Sequence, residues 1–298
     1  MKKLLKWISF SIGGLCLLLL LVGTAIYLTG GSKFDQKYAL PDASPMIPSD
    51  TASLAHGAHL VRTLGCRECH GADLSGTQID AMPFARIAVT NLTAGEGGIG
   101  QTYTPADWER ALRHGVNKEG RGLLMMPSTM YRNLADNEVA ALIAYLQTIP
   151  PVDNVHQPTT LGPIGRMAIT FSPVTMPQLM AGVDVDPPDV APAMAPTVAY
   201  GAYRAGTICT DCHGIGLRGG PHPDPAGPYS PDLLPVRNWT LEQFATALRG
   251  GVTPDGRILD PKYMPWRAFA HFTDAEVAGL YAYIRTLPND DATGQAGL

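Results

Sequence analysis

The chain has 298 residues, which is enough for two domains of ordinary size together with connecting segments. Its 22 lysine and arginine side chains are outnumbered by 26 aspartate and glutamate side chains, so the formal net charge is −4. Because this mildly acidic balance contains no basic run, we expect no nucleic-acid partner.

The N-terminal segment is basic at its start and apolar afterwards. Three lysines precede the run from Ile8 to Leu28, about 21 residues without a charge, which is long enough to cross the hydrocarbon core of a bilayer as a helix. A cleaved signal peptide is the alternative, but the end of the run offers no good small-x-small cleavage site. We therefore expect residues 1–30 to form an uncleaved, single-pass anchor in the inner membrane, with the lysines in the cytoplasm and the lipid bilayer as a partner. Residues 31–50 are expected to form a polar tether.

Two copies of a C-x-x-C-H motif follow. Their members are Cys66, Cys69 and His70 in the first copy and Cys209, Cys212 and His213 in the second. This spacing is the attachment signature of c-type haem: the two thiols add across the porphyrin vinyl groups, and the histidine binds the iron from below. The sequence therefore predicts two covalently bound haem c groups. Because such haem is attached outside the cytoplasm, we expect the haem domains in the periplasm or an equivalent extracytoplasmic space.

The segment around each motif belongs to a duplicated unit. Matching residues of the two copies are 136 to 143 positions apart, and both copies have a capped helix start, at Thr104 and Thr240, and a final helix with one apolar face. We expect an all-α fold, in which the transmembrane helix is followed by two tandem haem domains. The expected ranges after the tether are 51–151 for the first domain, 152–197 for a proline- and methionine-rich linker, 198–290 for the second domain and 291–298 for a tail. The linker is expected to drape over a domain surface or a partner, or to be an irregular connector.

The second axial ligand of each iron is expected from a loop before the final helix. The two copies align there on a Met-Pro pair, at Met126 and at Met264, each ten residues before an aligned aspartate. A methionine thioether favours ferrous iron and raises the redox potential, and the following proline stiffens the loop. In the first copy, Met125 and Met130 are competing candidates for the same role.

Other polar and aromatic side chains are expected to be structural. The histidines outside the motifs, His56 and His59 among them, have no ligand spacing and are interpreted as surface or packing residues. Tyr145 and Tyr283 occupy matching places in the two final helices. We expect them to pack near glycines of the helix that leads into each motif, where a missing side chain lets two helices cross closely. These glycines are Gly57 and Gly201.

With the haem motif, the Met-Pro loop and the final helix in place, both repeats resemble class I cytochromes c. The first repeat also resembles the cytochrome subunits of membrane-bound alcohol and gluconate dehydrogenases, in three segments: Thr90-Asn91-Leu92-Thr93, Gly98-Ile99-Gly100 and Trp108 to Val116. Those subunits carry three haems, whereas this chain has two motifs. The resemblance implies a small helical bundle around each haem c and does not specify a dehydrogenase partner.

Two six-coordinate irons with histidine and methionine ligands leave no open position for a substrate, so the predicted function is electron transfer and not catalysis. We expect single electrons to pass between partners at the periplasmic face, with the chain as a subunit of, or a tethered shuttle for, a respiratory or photosynthetic complex. The expected partners are a quinol-oxidising complex, a dehydrogenase, a terminal oxidase or a reaction centre; the dihaem subunit of cbb-type oxidases has the same general plan. The alternatives are a dihaem enzyme, such as a peroxidase, and a mainly structural subunit.

Overall fold

The computed structural model describes residues 2–40, 43–171, 186–222 and 227–288. Its first element is α1 (Lys2–Phe34), a helix whose most apolar 18-residue window is wholly exposed and has a mean hydropathy of 2.2. Within the described residues it is the one helix that is long and apolar enough to cross a membrane. It is therefore a candidate membrane anchor, in the place that the charge-free run predicted.

The first haem-motif unit is mainly helical. Its elements are α2 (Thr51–Thr63), α3 (Cys66–His70), β1 (Thr77–Ala81), β2 (Ala85–Val89), α4 (Pro105–His114), α5 (Ser128–Tyr131) and α6 (Asp136–Leu146). A short segment follows with β3 (Thr160–Leu161) and α7 (Pro163–Phe171).

The second unit repeats this helical order. Its elements are α8 (Val198–Ile208), α9 (Thr210–His213), two 3-10 turns (Ile215–Leu217 and Leu234–Asn238), α10 (Leu241–Gly250), α11 (Trp266–Phe269) and α12 (Asp274–Ile284). The fold is thus predominantly helical, as predicted, with a long apolar N-terminal helix followed by two similar units.

Local sequence explains where the helices begin. The hydroxyl of Thr104 accepts a hydrogen bond from the Asp107 backbone N–H, and the Asp107 carboxylate accepts one in return from the Thr104 backbone. Thr240 and Thr273 form the same reciprocal arrangement at the starts of α10 and α12. Such boxes satisfy backbone donors that the first turn of a helix leaves unpaired.

Each unit is built on a close crossing of its first and last long helices. A side chain at Gly57 would overlap the backbone of Ala141 and the Cβ of Tyr145, so α2 and α6 can meet only because this position is glycine. Gly201 lies in the same way against Gly279 and the Cβ of Tyr283. The predicted glycine–tyrosine packing is confirmed in both copies. The buried side chains of both units form one continuous hydrophobic cluster.

A small antiparallel sheet is the main departure from a purely helical fold. Strands β1 and β2 pair from Thr77 opposite Val89 to Ala81 opposite Ala85, and β3 adds to the free edge of β2. The glycines of this region, Gly71 and Gly76 among them, predict loops after the first haem motif. The β-branched residues Ile79 and Ile87, which pair across the hairpin, favour strands instead.

The apolar part of the linker is helical, whereas a simple connector would be irregular. It forms α7, which packs along the end of α1: the Thr170 hydroxyl donates to the Ile26 carbonyl at 2.9 Å, and the Arg166 guanidinium stacks over the Tyr27 ring at 4.2 Å. A side chain at Gly30 would overlap the Arg166 backbone. The tail 291–298 lies outside the described residues.

Candidate haem sites

The two cysteine pairs lie at one-turn helices: Cys66 and Cys69 are both in α3, whereas Cys212 is in α9 and Cys209 is the residue directly before it. Within the described residues none of the four thiols is in a disulfide. Burial, together with the second cysteine of each pair, raises the pKa of Cys66 and of Cys209 to about 12, so both are thiols at neutral pH. Cys69 is exposed, whereas Cys66, Cys209 and Cys212 are half-buried. Each pair thus offers two sulfurs, about one helical turn apart, to a ligand lying against the helix.

Each motif histidine is oriented by a backbone carbonyl. His70 Nδ1 lies 2.8 Å from the carbonyl oxygen of Thr90, and His213 Nδ1 lies 2.9 Å from that of Pro231. Nδ1 therefore carries the proton and donates it, which leaves Nε2 unprotonated and able to bind a metal. Burial lowers the pKa of both histidines, so the neutral form that binds iron is favoured.

The sequence pattern does not predict the role of these two carbonyls. Thr90 and Pro231 share no side-chain chemistry, because their role is carried by the backbone. A signal was nevertheless available: the two positions are 141 residues apart, within the range of offsets that relates the two copies.

The two Met-Pro loops have the same backbone conformation. Pro127 has φ −80° and ψ 57°, and Pro265 has φ −78° and ψ 53°. Met126 and Met264 are half-buried and pack against the hydrophobic core, whereas the Met125 side chain is 52% exposed. Met130 also packs against the core. The fold therefore argues against Met125 as an internal ligand and leaves Met126 and Met130 as the candidates in the first unit.

The first unit contains a buried hydrogen-bond donor without a partner, which indicates that a bound group supplies the acceptor. Trp108 Nε1 is buried and has no hydrogen-bond partner among the described residues. An indole N–H in that position costs free energy unless a ligand accepts its hydrogen bond. A haem propionate is an acceptor of the required kind, and together with paired thiols, a carbonyl-oriented imidazole and a core-facing thioether the donor set fits haem c. The matching residue of the second unit is Phe244, which has no such donor.

Two buried glutamates at equivalent positions join the units. Glu138 in α6 accepts a hydrogen bond from the Tyr203 hydroxyl at 2.6 Å and forms an ion pair with Arg204 at 2.6 Å, both from α8 of the second unit. Glu276 in α12 is in turn within 2.9 Å of Nε2 of His59, from α2 of the first unit. Each unit thus supplies a ring side chain to the buried carboxylate of the other.

The two bridges are related by the duplication. Glu138 and Glu276 are 138 residues apart, and His59 and Tyr203 each lie two positions after the glycine at which the helices cross. His59 is a packing residue, as predicted from its lack of ligand spacing, but its partner lies in the other unit. No spacing rule within one repeat could have indicated that partner.

A further contact brings each methionine loop against the haem motif of the other unit. The Thr129 hydroxyl, three residues after Met126, donates to the carboxylate of Asp211, which lies inside the second motif. On the other side, a Cβ at Gly65, directly before the first motif, would lie 3.7 Å from the Cβ of Ala268, four residues after Met264. The two candidate haem sites therefore meet at the domain interface.

Comparison with known proteins decides the family. The cytochrome c family model matches residues 54–150 and again 198–288, the two segments that contain the sites described above. The chain belongs to the cytochrome c family. Two family domains, each with one C-x-x-C-H motif, carry two covalent haem c groups, and a protein of this kind transfers electrons and is not itself the catalyst.

Several cytochromes are similar to this chain over part or most of its length. A dihaem c-type cytochrome of Cereibacter sphaeroides is 28% identical over 311 residues, which cover 92% of this chain and 97% of that protein. The cytochrome c subunit of an alcohol dehydrogenase (quinone) of Gluconacetobacter polyoxogenes is 26% identical, over 90% of this chain and 59% of the subunit. The fructose dehydrogenase cytochrome subunit of Gluconobacter japonicus is 38% identical over 135 residues, 40% of this chain and 28% of the subunit. This chain thus spans less than two thirds of either dehydrogenase subunit.

Proposed function

We propose that the protein is a membrane-anchored dihaem cytochrome c that relays single electrons between redox partners at the periplasmic face. The observation that carries the proposal is the contact of the Met126 loop with the second haem motif, through Thr129 and Asp211. In the proposed relay, this contact joins the two candidate haem sites into one path within a single chain. Two independent carriers would not need such an interface.

The geometry described above supports the following ligands. Cys66 and Cys69 hold the first porphyrin, and His70 Nε2 and Met126 bind its iron; in the second unit the equivalent residues are Cys209, Cys212, His213 and Met264. When bound, each haem supplies an iron that cycles between ferric and ferrous states. The chain keeps each imidazole in one tautomer by the carbonyl bonds described above, and its Met-Pro loops present the soft thioether that favours the reduced state. We prefer Met126 to Met130 because it occupies the position of Met264.

The helix α1 supports the proposed location. Its basic N-terminal end, with Lys2, Lys3 and Lys6, favours a cytoplasmic position, and both units then lie on the opposite side of the inner membrane. Trp7 and Tyr27 are 20 residues apart, a separation of about 30 Å along a helix, which equals the thickness of the hydrocarbon core. Aromatic rings are enriched at both edges of that core.

The proposed partner is a membrane redox complex. The names of the relatives in Gluconacetobacter and Gluconobacter describe cytochrome subunits of dehydrogenases. We infer that this chain also takes electrons from, or passes them to, such a complex, either as a bound subunit or as a tethered shuttle in a respiratory or photosynthetic chain.

The relay is tested by injecting single electrons into the oxidised, haem-loaded full chain with a photoexcited dye and following the two haems by absorption. An intramolecular relay equilibrates them at a rate that does not depend on protein concentration. Thr129→Asp places a second carboxylate beside Asp211 and should slow this step, whereas Thr148→Asp, on the exposed end of the first unit, should not. An equilibration rate that rises linearly with protein concentration would show two unconnected carriers.

A further inference from the structure

The helix α7 has an unusual division of faces. Its more buried residues are Gly165, Arg166, Ile169 and Thr170, and Arg166 and Thr170 donate hydrogen bonds to backbone carbonyls of α1. The opposite face is exposed, and its members are all apolar: Ile164, Met167, Ala168 and Phe171. A short helix in water would present the reverse pattern, with its polar side chains outward. The exposed face therefore indicates an apolar environment.

The turn of the β1–β2 hairpin extends this surface. The Phe84 backbone lies against Gly165, and the Pro83 backbone lies against Gly162, so the hairpin turn touches the beginning of α7. Two side chains of the turn are exposed: Met82 by 50% and Phe84 by 46%. On α7, Met167 is 45% exposed and Phe171 69% exposed. We call these four side chains together with Ile164 the apolar platform.

The position of the apolar platform indicates what covers it. It lies beside the last turns of α1, where Arg166 stacks on Tyr27 and Thr170 bonds to the Ile26 carbonyl. Tyr27 is the ring that lies about one hydrocarbon thickness, about 30 Å, from Trp7 along the helix. The cations Arg166 and Lys33 lie near the same end of α1 as Tyr27. Lys33 Nζ donates to the backbone carbonyl oxygen of Thr170, near the C-terminal end of α7, at 3.1 Å. Aromatic rings beside cations are typical of the zone between headgroups and acyl chains.

We propose that the apolar platform inserts into the outer-leaflet interface of the bilayer that α1 spans. This inference rests on the proposed membrane anchor and extends it: the first haem domain is then held against the membrane by a second contact and does not swing on a flexible tether. The platform thereby sets the orientation in which the first haem domain meets a membrane-bound partner.

The test uses site-directed nitroxide labels on the haem-loaded full chain in phosphatidylcholine vesicles, in a Cys16→Ala background so that no native free thiol reacts. Labels are placed at Met167→Cys and Phe171→Cys on the platform. Leu19→Cys in the middle of α1 is the reference for lipid, and Ile258→Cys, 77% exposed on the second unit, is the reference for water. Collision rates with oxygen, which concentrates in lipid, and with a water-soluble nickel chelate are compared by electron paramagnetic resonance.

We expect the oxygen-to-nickel ratio at Met167→Cys and Phe171→Cys to be several-fold above that at Ile258→Cys and below that at Leu19→Cys, because the interface is shallower than the centre of the bilayer. If the platform labels give the same ratio as Ile258→Cys while Leu19→Cys gives the ratio of lipid, the membrane insertion of the platform is overturned and the anchor is not. The platform would then be expected to bind a protein partner. An aqueous result at Leu19→Cys would overturn both the anchor and the platform.

Discussion

Arg204 of the second haem domain and Glu138 of the first form an ion pair at 2.6 Å with both side chains only 1% exposed. A buried pair of this kind gains little net stability over an apolar pair of the same shape, but breaking it leaves a charge without a partner. Its geometry can be satisfied only when the two domains are docked in one orientation. We interpret it as the element that specifies the relative position of the two haem sites.

Replacing this carboxylate should destabilise the docked protein. Glu138→Gln removes the charge opposite Arg204 and should lower the free energy of unfolding by about 3–5 kcal/mol, because a buried guanidinium is left unpaired. The measurement is denaturant unfolding of the detergent-solubilised, haem-loaded chain. Asp274→Asn is the matched control: it also removes a carboxylate from an arginine pair, but Asp274 is 97% exposed, so stability should not change. Equal effects of the two variants would contradict the specifying role of Glu138.

The same carboxylate predicts a pH dependence. Burial alone would raise the pKa of Glu138, but the hydrogen bond with His56, the charge of Arg204 and the Tyr203 hydroxyl outweigh it and lower the pKa from 4.5 to about 2. Because the folded pKa lies below the unfolded one, the stabilisation is fully present above pH 4.5 and is lost as the pH falls toward about 2. We expect the unfolding midpoint of the native chain to fall more steeply over this interval than that of Glu138→Gln. If the unfolding midpoints of the native chain and of Glu138→Gln fall equally with pH, Glu138 does not titrate in this way.

The methionine ligands predict a spectroscopic result. Met126→Ala and Met264→Ala should each remove one of two equivalents of the sulfur-to-iron charge-transfer band, open one reduced haem to carbon monoxide and lower its midpoint potential. Met125→Ala, at a side chain that is 52% exposed, should leave all three readouts unchanged. If Met126→Ala keeps the full band and Met130→Ala loses half of it, the ligand of the first haem is Met130.

The helix crossings predict opposite effects of one substitution at two glycines of α8. Gly201→Ala would force a methyl group into the Gly279 carbonyl and should cost about 1–3 kcal/mol of stability. Gly206→Ala meets no atom within 4 Å and should stabilise the chain by about 0.5–1 kcal/mol through helix propensity. Thermal unfolding followed by haem absorption compares the two. If the two variants change the unfolding temperature by the same amount, the α8–α12 crossing is not close-packed.

Several features of this cytochrome were determined by the sequence alone. Haem attachment depends on residues at fixed local spacing, so the motifs at Cys66 and Cys209 predict it without reference to a fold. The duplication, the helix starts at Thr104 and Thr240 and the glycine–tyrosine crossings also follow from local patterns and from the comparison of the two copies. These features involve interactions within a few turns of chain, or within one repeat, and such interactions leave a regular signal.

The contacts between distant segments became known only from the tertiary structure. The carbonyls of Thr90 and Pro231 act through the backbone, which residue identity does not record. The partners of Glu138 and Glu276 come from the other domain, across long separations that no periodicity encodes. The helix α7 is apolar in a proline-rich segment, and its packing on α1 becomes visible only when the chain is folded. Contacts between distant segments depend on how whole elements dock, and this docking is the physical reason why the sequence alone predicted the haem sites but not the interface that connects them.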